Sequence, residues 1–138
     1  MALFLLSSRK MVSMRRLMKF PVLAALLAVA GCITPSIPIP PPDEDRMTFT
    51  MDAAAGTASF SYPADVNFGG AVVYVFNRDQ GQGIIDTARA DGSVGPTAPV
   101  PAVSGDQIVV TFDADGEATS ACVVLDENGR DPTASCAP

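Results

Sequence analysis

The side chains able to do chemistry in this chain are carboxylates and thiols. Its 138 residues contain no histidine, which removes the usual general base of serine and cysteine hydrolases and the commonest transition-metal ligand. Two acidic runs stand out, Asp113-Ala-Asp-Gly-Glu117 and Asp126-Glu-Asn-Gly-Arg-Asp131. Hard cations take clustered carboxylate and carbonyl oxygens, so Asp113, Asp115 and Glu117 are candidate calcium ligands, although neither run has the full EF-hand pattern. Paired carboxylates also hydrolyse glycosides, but period-two spacing around Gly116 describes a hairpin turn equally well. Ser59, Ser61 and Ser120 lie in strand-like sequence without a nucleophile elbow. The expectation is a chain that is not an enzyme, with calcium as the one conceivable cofactor besides a covalent lipid.

The thiols are Cys32, Cys122 and Cys136. Cys32 closes the run Val29-Ala30-Gly31-Cys32. Before it come a basic region, with Arg9, Lys10, Arg15, Arg16 and Lys19, and then the uncharged apolar segment from Phe20 to Ala30. That is the layout of a secretory signal. The apolar segment is shorter than the ~20 residues that a helix needs to cross a bilayer core. Positive charge in front of it holds the amino end in the cytoplasm. Met1, Met11 and Met14 are alternative starts.

An aliphatic residue, two small residues and a cysteine, placed behind a basic and apolar leader, resemble the lipobox of bacterial prolipoproteins. The resemblance implies that the Cys32 thiol receives a diacylglyceryl thioether and that signal peptidase, reading Val29, Ala30 and Gly31, cuts before Cys32. Each buried methylene contributes about 0.8 kcal/mol, and two or more acyl chains give stable anchoring where one is marginal. The residue after the cysteine is Ile33 rather than aspartate, which favours the outer over the inner membrane, with the domain facing the periplasm or the surface. The alternative is an ordinary signal peptide with a stray cysteine.

Charge sorts across Cys32. Five of the 9 Lys and Arg precede it, whereas all 15 acids follow it. With Arg46, Arg78, Arg89 and Arg130 as its four cations against those 15 acids, the part beyond Cys32 carries −11 and no lysine. Such a body is a poor partner for nucleic acid; the membrane, through the lipid, and an unknown protein are the expected partners. An exported chain is expected to pair its two remaining cysteines, Cys122 with Cys136. Closing that loop would stabilise by roughly 3 kcal/mol. The close Cys-x-x-Cys spacing of a redox pair is absent.

Stepping along the rest of the chain, residues 32–46 read as the lipidated cysteine and a proline-rich tether, with Pro35, Pro38, Pro40, Pro41 and Pro42. Polyproline II rises about 3.1 Å per residue, enough to hold the next domain up to roughly 40 Å from a lipid surface. Residues 47–138 suffice for one domain. Met47 to Met51 and Ala58 to Tyr62 alternate as half-buried strands, and Ala71 to Phe76 is apolar on both faces, either covered on both sides or covered on one and exposed as a small patch on the other. Further strands are expected over Gly83 to Ala90, Gln107 to Asp113 and Glu117 to Leu125, with Gly-, Asp- and Asn-rich turns between them. The expected fold class is all-β: a small antiparallel β-sandwich behind a signal-peptide helix (1–31) and the linker.

Ala71-Val-Val-Tyr-Val-Phe76, Ala90-Asp91-Gly92-Ser93, Ser104-Gly105-Asp106 before Ile108, and Asp115-Gly116 are together similar to bacterial immunoglobulin-like and carboxypeptidase-regulatory-like modules. The resemblance implies a scaffold or binding module. The functional expectation is a membrane-anchored lipoprotein with a non-catalytic structural or binding domain; the alternative is a calcium-dependent adhesion or envelope-assembly module.

Overall fold

A computed structural model describes residues 38–138; the leader, Val29 to Cys32 and the start of the proline-rich stretch lie outside the described residues. Residues Ile37–Pro138 form one compact unit. Its strands are β1 Thr48–Asp52, β2 Thr57–Ser61, β3 Val72–Asn77, β4 Gln82–Thr87, β5 Val100–Pro101, β6 Gln107–Ala114, β7 Glu117–Asp126 and β8 Gly129–Arg130. They build two antiparallel sheets, ordered β1-β2-β5 and β4-β3-β6-β7-β8. The unit is all-β, as its alternating sequence requires. The six strands expected from the sequence are β1 to β4, β6 and β7.

Period-two alternation sets the core. β3 turns Val73, Val75 and Asn77 inward, β6 turns in Ile108, Val110 and Phe112, and β7 turns in Ala121, Val123 and Leu125. The smaller sheet answers with Phe49, Ala58, Phe60 and Val100. Register puts like opposite like, with Phe49 facing Phe60, Val73 facing Phe112, and Ile108 facing Val123. Each large apolar side chain buried this fully contributes about 1.5–3 kcal/mol, so this one shared core is the main stabilising term. All of it lies within the described residues, and the segment therefore carries what it needs to fold by itself.

The connection from β4 to β5 is stitched to the edge of β2. Val94 and Tyr62 exchange both backbone hydrogen bonds, at 2.9 and 3.0 Å. Thr97 N donates to Phe60 O at 2.9 Å, and the Thr97 hydroxyl accepts from Phe60 N at 3.0 Å, so a side chain continues the ladder. The Asp91-Gly92 turn fixes where this connection starts. Gly92 sits at φ +80°, and a Cβ there would fall on the Asp65 carbonyl, which leaves glycine as the residue that fits.

The sequence makes a free spacer of residues 33–46, but its described second half packs on the domain. Ile39 lies against the core and Pro42 is buried. Asp43 caps a 3-10 turn at Glu44–Arg46, and its N–H donates to the Tyr62 hydroxyl at 3.1 Å. Arg46 bonds Asp65 Oδ2 at 2.7 Å and the Ala64 carbonyl at 2.8 Å, with its guanidinium 5.2 Å from the Tyr62 ring centre. A cap, an ion pair and an aromatic face hold these residues in place, and proline content alone signals none of the three.

One polar hub ties the β3–β4 turn to β5 and the β5–β6 loop inside the fold. Asn77, fully buried, donates from Nδ2 to Pro101 O at 2.9 Å and to Asp106 Oδ2 at 2.7 Å. Its Oδ1 accepts from Asp79 N and Gln80 N. Asp106 Oδ2 accepts also from Val103 N at 3.0 Å. Removing one partner of a buried network leaves the others unsatisfied. Asn77→Ala is therefore expected to cost about 2–3 kcal/mol, read as a lower urea midpoint with an unchanged slope.

Candidate functional site

The acidic turns come first, because their oxygens carry the metal expectation. In the β6–β7 hairpin, Ala114 faces Glu117 and Asp113 faces Ala118. Neighbours along a strand point to opposite faces, so Asp113 and Glu117 project from opposite faces of the hairpin. Asp115 occupies the turn itself at φ 54°. Among the described residues, no group of three acidic or thiol side chains is arranged to hold a metal ion. In the second run, Asp126 Oδ1 accepts from Asn128 N at 2.7 Å. Asp131 Oδ1 accepts from Thr133 N and from the Thr133 hydroxyl. These carboxylates brace their own turns.

Two exposed acids are held below their ordinary range by such bracing. The Ser93 hydroxyl and then the Ser93 N–H, with Arg89 adding its charge, lower Asp91. The Thr133 hydroxyl and N–H lower Asp131 in the same way, with Arg130 nearby. A lowered carboxyl stabilises the fold above its ordinary value of 3.8, and that contribution is lost as pH falls through the folded value.

The cysteine pair is formed as expected. Cys122 and Cys136 are disulfide-bonded, with Cα atoms 6.0 Å apart. Cys122 faces Val109 on the side of the larger sheet away from the core. The bond therefore lays the tail over that outer side. Ala137 N donates to Gln107 Oε1 at 3.0 Å, and Arg78 Nη1 donates to the Ala137 carbonyl at 3.0 Å. One part of the outer face, across β6 and β7, is covered in this way.

The β3–β4 part of the same face stays open. Val72, Tyr74 and Phe76 of β3 and Ile85 of β4 are all exposed, Ile85 by 70 % and Phe76 by 44 %. Tyr74 stands directly opposite Ile85, and Phe76 opposite Gly83. Of the two readings of Ala71 to Phe76, the chain adopts a core face with an apolar patch behind it. Contiguous exposed apolar surface of this kind marks an interaction site more often than a lone exposed residue does.

A second concavity lies at one end of the sandwich, where the β1–β2 turn, the β5–β6 loop and the β7–β8 turn meet. It encloses about 550 Å³ between Met51, Ala53, Val103, Ser104, Glu127 and Asn128. Glu127 is the one ionisable side chain in its lining, so the cleft offers shape and a few polar atoms but no acid–base pair. Ser120, considered above for its hydroxyl, pairs with Thr111 Oγ1 at 2.7 Å across two strands.

Each of the four arginines among the described residues is bonded within the unit. Arg46 holds Asp65, Arg130 holds Asp45 at 2.7 Å, Arg89 holds Ser93 and the Gly95 carbonyl, and Arg78 holds the tail. The sparse positive charge staples segments together. The site residues that sequence reasoning missed are Tyr74, Phe76 and Ile85; the two-sided apolar character of β3 was the available signal. No known family model, curated protein or solved structure matches this chain.

Replacing both Cys122 and Cys136 by serine is expected to cost about 3 kcal/mol, measured as a lower thermal midpoint. NMR titration should place the Asp91 and Asp131 midpoints below 3.8, and Ser93→Ala should raise that of Asp91 alone.

Proposed function

We propose that the chain is an envelope lipoprotein, anchored through lipid on Cys32, whose sandwich is a non-catalytic binding or structural module. The observation that carries this reading is the sorting of the cysteines. Cys122 and Cys136 pair with each other, and stable disulfides belong to oxidising compartments outside the cytoplasm. That pairing leaves Cys32 as the odd thiol, at the end of Val29-Ala30-Gly31 and behind a basic and apolar leader. Two or three acyl chains on it would hold the domain to a membrane without any transmembrane helix.

An immunoglobulin-like classification is part of the proposal. If β1 to β7 are taken as strands A, B, C, C′, E, F and G, the sheet orders become A-B-E and C′-C-F-G, the immunoglobulin-like arrangement without strand D. The departures are the disulfide, which joins strand G to the tail instead of bridging the sheets, and the extra strand β8. Modules of this shape present loops and sheet faces to partners. The open outer face and the 550 Å³ cleft are the surfaces available for that role here.

In a bacterial host, the chain should incorporate labelled palmitate and sediment with membranes. Cys32→Ala should abolish the label and move the folded protein to the soluble fraction. Label retained in that variant, or wild-type protein that is soluble after export, would refute the anchor.

A further inference from the structure

We infer that β4 is a self-association edge, through which two copies of this chain join their larger sheets into one. β4 is the terminal strand of that sheet, with no strand among the described residues hydrogen-bonded beyond it. At the other end of the sheet, β8 pairs with β7 at Leu125 and Asp126, and its Gly129 approaches the Phe49 carbonyl of β1 so nearly that a Cβ would clash there. β5, at the end of the smaller sheet, has only the two residues Val100 and Pro101. β4 is a six-residue edge strand, and no strand among the described residues covers any part of its outer side.

The direction of its backbone groups follows from one bond. Ala88 N donates to Ala71 O at 2.8 Å, one step beyond the last β3–β4 pair. In an antiparallel ladder, bonded and non-bonded pairs alternate. Asp86, Ile84 and Gln82 therefore bond to β3, and Gly83, Ile85 and Thr87 aim their N–H and C=O groups away from it. The Thr87 N–H is capped by its neighbour, Asp86 Oδ1, at 2.8 Å. Gly83 and Ile85 keep open donors and acceptors.

These two positions select a register. Antiparallel pairing centred on Ile84 lets Gly83 of each copy exchange backbone bonds with Ile85 of the other. It places Asp86 across from Gln82 of the second copy, an acid against an uncharged amide. Residues paired in this way share a face, so the outer patches merge. Ile85 and the ring of Phe76, which leans over Gly83 toward the edge, would continue into the same pair on the second copy.

Self-complementarity identifies a second copy as the fitting occupant: under a two-fold axis through Ile84, the open groups of Gly83 and Ile85 satisfy each other. The −11 that each body carries opposes pairing at long range, so the contact surface itself has to be uncharged. The outer side of β3 and β4 supplies that surface: Val72, Tyr74 and Phe76 beside Gly83, Ile85 and Thr87. The strand carries no lysine, proline or bulge; its one charge, Asp86, shares the inward face with Ile84 and leaves the outer face of the strand uncharged. The inference does not depend on lipid at Cys32.

The test uses residues 37–138 with the disulfide intact, in sedimentation velocity from about 1 μM to about 1 mM. The expected result is a reversible monomer–dimer equilibrium. Ile85→Lys should weaken it at least about tenfold and leave the thermal midpoint of the monomer unchanged. Val66→Lys, at another exposed apolar position, should leave dimerisation intact. Hydrogen exchange on the wild-type chain gives an independent readout: the Gly83 and Ile85 amides should slow as concentration rises. A chain monomeric throughout, a dimer indifferent to Ile85→Lys, equal weakening by Val66→Lys, or exchange at Gly83 and Ile85 that ignores concentration would each overturn the inference.

Discussion

Five aromatic rings form a connected path through the middle of this fold, and most other features depend on it. Phe49 meets Phe60 at 5.2 Å between ring centres, and Phe60 meets Tyr62 at 6.4 Å. Tyr62 crosses to Phe112 of the facing sheet at 5.3 Å, and Phe112 stacks on Phe68 at 4.3 Å. The path joins the two sheets through large side chains with few rotatable bonds, each pair adding about 0.5–1.5 kcal/mol beyond its area. Tyr62 is the junction. Its ring lies in the path, its hydroxyl accepts from Asp43 N, and its outer side receives Arg46. The entering chain is thereby fastened to the core, and the acidic 3-10 turn beside it is ordered although proline dominates the sequence before it.

The strands were legible because alternation is local. In β6, Ile108, Val110 and Phe112 recur at every second position, and the same residues form the buried face. β5 and β8 were not legible, because two residues cannot display a period; they exist through neighbours supplied by the fold. Asn77 and Asp106 were hidden for a related reason. Each is a polar residue at a strand end, which in sequence looks like a turn signal, and only the convergence of Pro101, Val103 and Gln80 on them makes burial tolerable. The acidic set at Asp113, Asp115 and Glu117 is the converse case. Its spacing resembles a ligand set in one dimension, but the hairpin turns Asp113 and Glu117 to opposite faces.

The candidate surface was half visible. A strand apolar on both faces must be covered twice or leave a patch, and the sequence could not choose between these. The choice was made by the tail. Because Cys122 sits on the outer face of β7, the disulfide draws Cys136 and Ala137 across the larger sheet toward Gln107 and Arg78. The tail thus covers the β6–β7 side and leaves Tyr74, Phe76 and Ile85 in water. A bond usually counted as a stabiliser also sets the boundary of the exposed patch.

The order of the larger sheet places this patch relative to the point where the chain enters. Asp45, just before β1, bonds Arg130 of β8 at 2.7 Å, so the entering segment lies at the β8 end. β4 is the strand at the opposite end, four positions away. At about 4.8 Å per strand that is roughly 19 Å across the sheet. Asp45 and the open edge therefore lie at opposite margins of one sheet. The Asp45–Arg130 pair, which holds the entering turn, and the inferred dimer edge thus make no competing demand on the same surface, and either can be lost by mutation without removing the other.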